Sequence, residues 1–234
     1  MTAQALIFDL DDTLIDTYGQ LVPEAHRQAC IAMVNAGLPV PVDELYATRQ
    51  ALLMAHPRTE INTLLAEHYG YPDPAIIQAG HDTYLNPQIT ELEPFPGVPE
   101  LLTTLADAYR LFLVTAGFTH AQQKKIEVLG IGHHFHDICF VDPTRPGPQT
   151  KHEAFQILLD RHGISPHHTV VIGDRITNEI AAGNRLGCHT IWMRHGECAH
   201  ITPEHPDEHP HHTIDAIHQL TGVLPPFYAH KVHP

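Results

Sequence analysis

The sequence predicts an α/β protein built on a parallel sheet, with one all-helical insertion between the first two strands. Three observations predict it. Short apolar runs rich in β-branched residues recur along the chain, and segments of helical spacing separate the later runs. Between the first and second runs, about 75 residues from Asp16 to Glu93 carry helical patterns and no convincing strand, far longer than an ordinary crossover. Strands alternating with helices imply a parallel sheet. The expected architecture is a Rossmann-like core over residues 1–15 and 94–234, interrupted by a helical cap over residues 16–93.

The first run, Ala5-Leu6-Ile7-Phe8, leads directly into Asp9-Leu10-Asp11-Asp12-Thr13, as a buried strand does when its C-terminal end opens into polar loop. In the insertion, helical patterns lie near residues 22–36, 42–55, 60–68 and 74–85, punctuated by Gly37, Pro57, Gly70 and Pro72. Further strands are expected at 111–115, 138–141, 169–173 and 190–193. The helices between them are expected at 98–108, after Pro96-Gly97, and at 119–129, 151–162 and 176–186, ending at Gly130, Gly163 and Gly187. Beyond Met193 the pattern weakens into a Pro/His-rich stretch, 203–212, and a short helical signal at 214–220. That tail is expected to run along the surface.

Composition narrows the function classes. Of 234 residues, 43% are apolar and 17% charged, enough for a sizeable core and too little charge for disorder. Thirteen Lys and Arg against 27 Asp and Glu give a net charge of −14, which opposes attraction to a phosphate backbone or an anionic bilayer. Neither a nucleic acid polymer nor a membrane is an expected partner. The 22 His make the charge steeply dependent on pH. Cys30, Cys139, Cys188 and Cys198 lack the spacing of a zinc knuckle or redox pair and read as reduced thiols. No apolar run approaches the ~18 residues of a membrane span, and the first apolar stretch ends in acid rather than a cleavage site, so cytoplasm is the expected compartment.

Asp9 and Asp11 carry the first chemical signal. Alternate strand residues share a face, so both carboxylates leave the strand's end on one side, with Leu10 opposed. Such a pair is electrostatically costly unless a cation or a shared proton offsets it. An acidic pair after a strand also serves as a turn cap, so the two residues favour function only in company.

That company is present. Phe8-Asp9-Leu10-Asp11-Asp12-Thr13-Leu14 resembles the first signature of the haloacid dehalogenase superfamily, in which phosphatases predominate. Leu111-Phe112-Leu113-Val114-Thr115-Ala116-Gly117 is similar to the second, an apolar strand ending in Thr or Ser. Lys151 stands where the third places its Lys, and the segment Val170 to Ile180 resembles the fourth. The resemblance spans roughly residues 5 to 193, and order and spacing lend weight to the weaker matches. Two departures stand out: Glu179, preceded by Asn178, occupies the place of a second Asp, and no Pro follows Lys151.

The resemblance implies roles. Asp9 is the nucleophile that forms an aspartyl-phosphate, and Asp11 is the acid for the leaving alkoxide and then the base for water. Asp11 must hold a proton in the first step, which nearby anions are expected to promote. Asp9, the backbone carbonyl of Asp11 and Asp174 are ligands of Mg²⁺, with Glu179 contacting it directly or through water. Thr115 and Lys151 stabilise the phosphoryl oxygens. Lys124 and Lys125 rival Lys151 for the cationic role but are expected to face solvent.

The insertion resembles the C1 cap of the superfamily, which closes over the site and selects substrates. Tyr18, Arg49, His56 and Arg58 are its specificity candidates, with Gln20 and His26 beside them, although most such residues are ordinary polar helix faces. His133, His134 and His136, and His209, His211 and His212, lack the spacing of a zinc motif and read as surface enrichment. The expected function is a Mg²⁺-dependent phosphatase acting on a small phosphorylated metabolite. A phosphomutase and a non-catalytic His-rich metal- or partner-binding protein are the alternatives, and the oligomeric state is open.

Overall fold

A computed structural model describes residues 3–224. The chain divides into two compact units, one holding the chain up to Tyr18 and again from Glu91, the other running from Gly19 to Thr90. The division falls three residues inside each end of the 16–93 segment that the sequence sets apart.

The first unit is built on β1 (Ala5–Phe8), β2 (Arg110–Ala116), β3 (Asp137–Val141), β4 (Thr169–Gly173), β5 (His189–Met193) and β6 (His212–Ile214). These form one sheet in the order β3-β2-β1-β4-β5-β6, with every neighbouring pair parallel. The first strand is buried along its whole length, as a strand covered on both faces must be. It lies between β2 and β4, with Phe8 in register with Leu113 on one side and Ile172 on the other. The chain order reverses across β1, and in such sheets the crevice beyond the strands' carboxyl ends is where ligands bind.

Helices α5 (Val98–Ala106), α6 (Thr119–Leu129), α7 (Lys151–His162) and α8 (Ala181–Leu186) connect these strands. Ile7, Phe112, Val114 and Val171 from the sheet pack with Phe155, Leu158 and Leu159 of α7 in one apolar cluster. At the start of α7 the Thr150 hydroxyl accepts from the Glu153 backbone N–H at 3.2 Å, while the Glu153 carboxylate accepts from the Gln149 N–H at 2.7 Å. These local bonds fix the helix at the residue that carries the Lys151 side chain.

Two sequence expectations need correction. The tail does not simply run along the surface: His212-Thr213-Ile214 adds a sixth parallel strand, and Ile214, Ile217 and Leu220 are buried. Three residues are too short to show a period of two, and the pairing comes from β5 rather than from local propensity. Nor is 176–186 one α-helix, since Ile176–Ile180 forms a single π turn before α8. Such turns recur at functional sites.

The second unit holds α2 (Val42–Leu53), α3 (Ile61–His68), α4 (Pro74–Leu85) and all but the first residues of α1 (Thr17–Asn35). Cys30, Met33, Leu45, Ile61, Leu65 and Ile76 form its own apolar core. Asp73 caps α4 by accepting from the Ala75 N–H at 2.8 Å, with Pro74 in the first turn where its missing N–H costs nothing. Among the described residues, no helix is long and apolar enough to cross a membrane.

Phe155 is 1% exposed at the centre of the sheet–helix cluster. Phe155→Ala is expected to destabilise the sheet-bearing unit by about 3–5 kcal/mol. Trp192 in β5 is the single tryptophan of the chain, so its fluorescence during urea unfolding isolates that unit's transition.

Candidate active site

The carboxyl ends of β1, β2 and β4 bring the sequence-predicted residues to one place. Asp9 follows β1, its backbone N–H donating to the Ile172 carbonyl at 2.9 Å, and Asp174 follows β4. Glu179 sits in the π turn after β4, and Lys151 reaches in from the first turn of α7. Asp9, Asp11, Lys151, Asp174 and Glu179 line one cavity of about 120 Å³ together with Asp12, Ala116, Arg175 and Asn178.

Lys151 is 1% exposed, which rules out the solvated first-turn lysine that its sequence position also allows. Its ammonium donates to Asp9 Oδ1 at 2.5 Å and to the Val114 carbonyl at 2.5 Å, and it lies 3.2 Å from Glu179 Oε1. Three donors thus meet three oxygens, so the buried charge is both paired and hydrogen-bonded. Burial works against the ammonium, but the two carboxylates outweigh it and hold Lys151 above its ordinary pKa.

Asp9, Asp174 and Glu179 are all buried and each offers an oxygen within 4.8 Å of the others. Glu179 Oε2 accepts from the Arg175 backbone N–H at 3.1 Å. A Cβ on Gly173 would lie 2.5 Å from Glu179 Cβ, so the glycine leaves the room in which this longer acid lies against the strand end. Burial pushes Asp9 up to about 7, with Lys151 opposing, and pushes Asp174 up to about 9, with the Asp9 and Glu179 charges adding to the rise. Lys151 offsets one of the three acids, and the raised Asp9 and Asp174 hold protons that offset the others. An all-oxygen, hard, anionic donor set suits Mg²⁺, whose ligand oxygens stand roughly 3–4 Å apart around the ion.

Asp11 has a different environment from the one the sequence suggests. Lys125, expected at the solvent, is 8% exposed and donates to Asp11 Oδ1 at 2.6 Å. The Thr17 hydroxyl donates to the same oxygen at 2.5 Å, and Gln122 Nε2 donates to Oδ2 at 3.0 Å. Burial alone would raise Asp11, but Lys125, Thr17 and Gln122 together hold its carboxyl below the usual range. The surroundings therefore favour the carboxylate, not the protonated acid that nearby anions were expected to promote. Lys124 does face solvent and pairs with Glu127 at 3.2 Å. A helix-period signal separates the two lysines: Thr119, Gln122, Lys125 and Ile126 form the buried face of α6.

Thr115 is fully buried at the end of β2, and its Oγ1 has no hydrogen-bond partner, as is also true of Thr13 Oγ1. A buried hydroxyl left unmatched is costly, and Thr115, next to Ala116 of the cavity wall, is not itself among the cavity's lining residues. Asp12 adopts a left-handed backbone, φ 53°, and its Oδ1 accepts from the Tyr18 N–H at 2.9 Å. Asp12, Asp16 and His195 form a second grouping of ligand-type side chains, which the motifs did not point to. Among the described residues, neither sequence cluster of His forms such a grouping.

The specificity candidates divide differently. Tyr18 is 46% exposed, and His56 and Gln20 are exposed. Arg49 and His26 are buried rather than lying on polar helix faces: Arg49 donates to His26 Nδ1 and to Asn62 Oδ1, each at 2.8 Å, and its guanidinium lies 5.6 Å from the centroid of the Tyr84 ring. The Arg58 side chain lies outside the described residues.

The family model described as haloacid dehalogenase-like hydrolase matches residues 3–187, and the chain belongs to that family. A glyceraldehyde 3-phosphate phosphatase of Methanopyrus kandleri is 32% identical over 94% of this chain and 97% of its own length. A relative of the same description from Methanothermobacter thermautotrophicus is 29% identical over 94% of this chain and 99% of its own. Among solved structures, magnesium-bound YfnB from Bacillus subtilis aligns with a TM-score of 0.66 at 24% identity, covering 95% of this chain and 99% of that one. A 2-haloacid dehalogenase from Pseudomonas syringae aligns with a TM-score of 0.58 at 23% identity, over 94% of this chain and 97% of its own, so likeness of fold does not separate phosphate from halide chemistry.

The raised carboxyls fix the sign of a pH effect. Asp9 and Asp174 bind protons more tightly in the folded protein, so their contribution to metal-free stability is lost as pH rises from the ordinary 3.8 through about 7 and about 9. A cation must displace those protons, so the increase in melting temperature produced by Mg²⁺ is expected to grow from about pH 6 to about pH 9. Scanning calorimetry with and without Mg²⁺ checks this, and Asp174→Asn is expected to flatten the trend.

Proposed function

We propose that the protein is a Mg²⁺-dependent phosphatase that hydrolyses a small phosphorylated metabolite through an aspartyl-phosphate on Asp9. The observation that carries this reading is the setting of Asp9: Lys151 fixes its Oδ1, two further buried carboxylates stand beside it, and Asp11 lines the same cavity. Four free cysteines accord with a cytoplasmic setting.

Asp9 attacks phosphorus with Oδ2 while Lys151 holds Oδ1. Asp11 gives a proton to the leaving alkoxide and then takes one from the water that splits the acyl phosphate. The first task requires Asp11 to gain a proton against the pull of Lys125, and the second uses the form that its surroundings favour. The Thr115 hydroxyl supplies the hydrogen bond that it lacks inside the protein to a phosphoryl oxygen, and Lys151 adds positive charge on the same side. Asp9, the Asp11 carbonyl and Asp174 would hold Mg²⁺, with Glu179 beside them, and the ion supplies charge for the phosphoryl dianion and for the acid cluster. Dehalogenation fits less well, because displacement of halide from carbon needs no acid in the position of Asp11.

The helical unit from Gly19 to Thr90 serves as a C1-type cap, a reading supported by its place in the chain between β1 and β2 and by its separate core. His56 and Arg58 on that unit, and Tyr18 at the end of the other, are the specificity candidates, whereas Arg49 is buried and bonded within the unit's own core. The relatives' description puts glyceraldehyde 3-phosphate first on a substrate panel, followed by other sugar phosphates, phosphoglycolate and nucleoside monophosphates.

Phosphate release across that panel, with and without Mg²⁺, tests the reading. Asp9→Asn is expected to lower kcat by about a thousandfold or more, and Thr115→Val by roughly a hundredfold through loss of one donor. Release that persists in Asp9→Asn would refute the aspartyl-phosphate.

A further inference from the structure

The carboxylate assigned to proton transfer is held from one helix face. Gln122 and Lys125, three residues apart on the buried face of α6, reach Asp11 across more than a hundred residues of sequence. The start of that helix is itself pinned: Asp142, just after β3, accepts from both the backbone N–H and the hydroxyl of Thr119, at 2.7 and 2.8 Å. Gln122 is not free to turn its amide. Its Nε2 donates to Asp11 Oδ2 at 3.0 Å and to the Ala116 carbonyl at 2.9 Å, so exchanging N for O would set an oxygen against two acceptors. A Cβ on Gly117 would lie 2.7 Å from Gln122 Nε2, so the glycine keeps this approach open.

The acceptor count shows what is left. A carboxylate offers about four lone-pair directions. On Asp11, Lys125 Nζ and Thr17 Oγ1 take the two on Oδ1, and Gln122 takes one on Oδ2. One direction on Oδ2 remains. We infer that Lys125 and Gln122 are positioning residues for the proton-transfer step, holding Asp11 so that Oδ2 alone exchanges a proton with the leaving group and with water. The inference rests on the phosphatase reading and assigns to α6 a part that Lys151, held against Asp9, does not play.

The test uses two esters with different needs. An alkyl phosphate such as glyceraldehyde 3-phosphate expels a strongly basic alkoxide and depends on a placed acid, whereas p-nitrophenyl phosphate expels a phenolate that leaves without a proton. Since kcat/KM reports the steps up to transfer onto Asp9, misplacing Asp11 acts on the alkyl ester selectively. Lys125→Met, which keeps the stem and removes the ammonium, releases Asp11 from its fixed position as well as easing its protonation. If the positioning matters, kcat/KM for the alkyl ester falls by about tenfold to a hundredfold more than for the aryl ester, whereas a selective gain on the alkyl ester would overturn the positioning role. Gln122→Leu is expected to do the same to a smaller degree, and Lys124→Met to leave both esters unchanged. Each variant is checked for a retained melting transition and a retained Mg²⁺ shift.

Equal losses on both esters in a folded Lys125→Met, or no loss on either, would overturn the positioning role while the phosphatase reading stands. A wild-type protein that turns over neither ester overturns that reading, and the positioning role with it. If Lys125→Met fails to fold, the ester ratio of Gln122→Leu decides in the same two directions.

Discussion

A single buried ammonium ties the site together. Lys151 joins Asp9 after β1, the Val114 carbonyl in β2 and Glu179 after β4, so three neighbouring strand ends meet at one charge. Such a group is tolerated inside a protein only when its partners are complete, since removing one leaves an unpaired buried charge. Its position depends on ordinary features far from chemistry: the Thr150–Glu153 bonds that start α7, the Phe155 and Leu158 side chains that seat the helix on the sheet, and the glycine at 173 that makes room for Glu179. The geometry around Asp9 is thus a consequence of how the core packs.

A second cation separates the two leading carboxylates. Asp9 and Asp11 stand two residues apart on the same loop, yet burial beside two other acids raises the first, while Lys125, Thr17 and Gln122 lower the second. Groups whose environments push them apart can take different parts in one reaction, and here each lysine serves one aspartate. The acid cluster of Asp9, Asp174 and Glu179 has one lysine against it, and the raised Asp9 and Asp174 relieve the crowding by holding protons. An ion that displaced those protons would relieve the same crowding, as the proposed Mg²⁺ does.

The helical unit obeys a different logic. Its core is apolar except at Arg49, whose guanidinium is held by His26, Asn62 and the Tyr84 ring. A 2-haloacid dehalogenase shares this fold with the chain, and relatives described as phosphatases align over most of its length, so the fold alone does not choose a substrate.

Much of the fold was legible in the chain because its signals are local and periodic. Ala5–Phe8 and Thr169–Gly173 are continuous apolar runs, Gly130, Gly163 and Gly187 end their helices, and the insertion shows itself by length. Asp9, Asp174 and Lys151 were legible because each sits at a strand end or helix start beside the crevice, and Thr115 because it closes an apolar strand. The sixth strand was not, since His212–Ile214 is too short for a period and exists only through β5. Nor was Lys125: beside Lys124 it looks like one of two surface lysines, and only the rotation of α6 against the strand ends turns one to solvent and the other to Asp11. By itself the sequence determined which residues have the chemistry and in what order they come. Tertiary structure alone decided which charge each carboxylate faces, because that depends on distances between segments more than a hundred residues apart, and no local pattern encodes them.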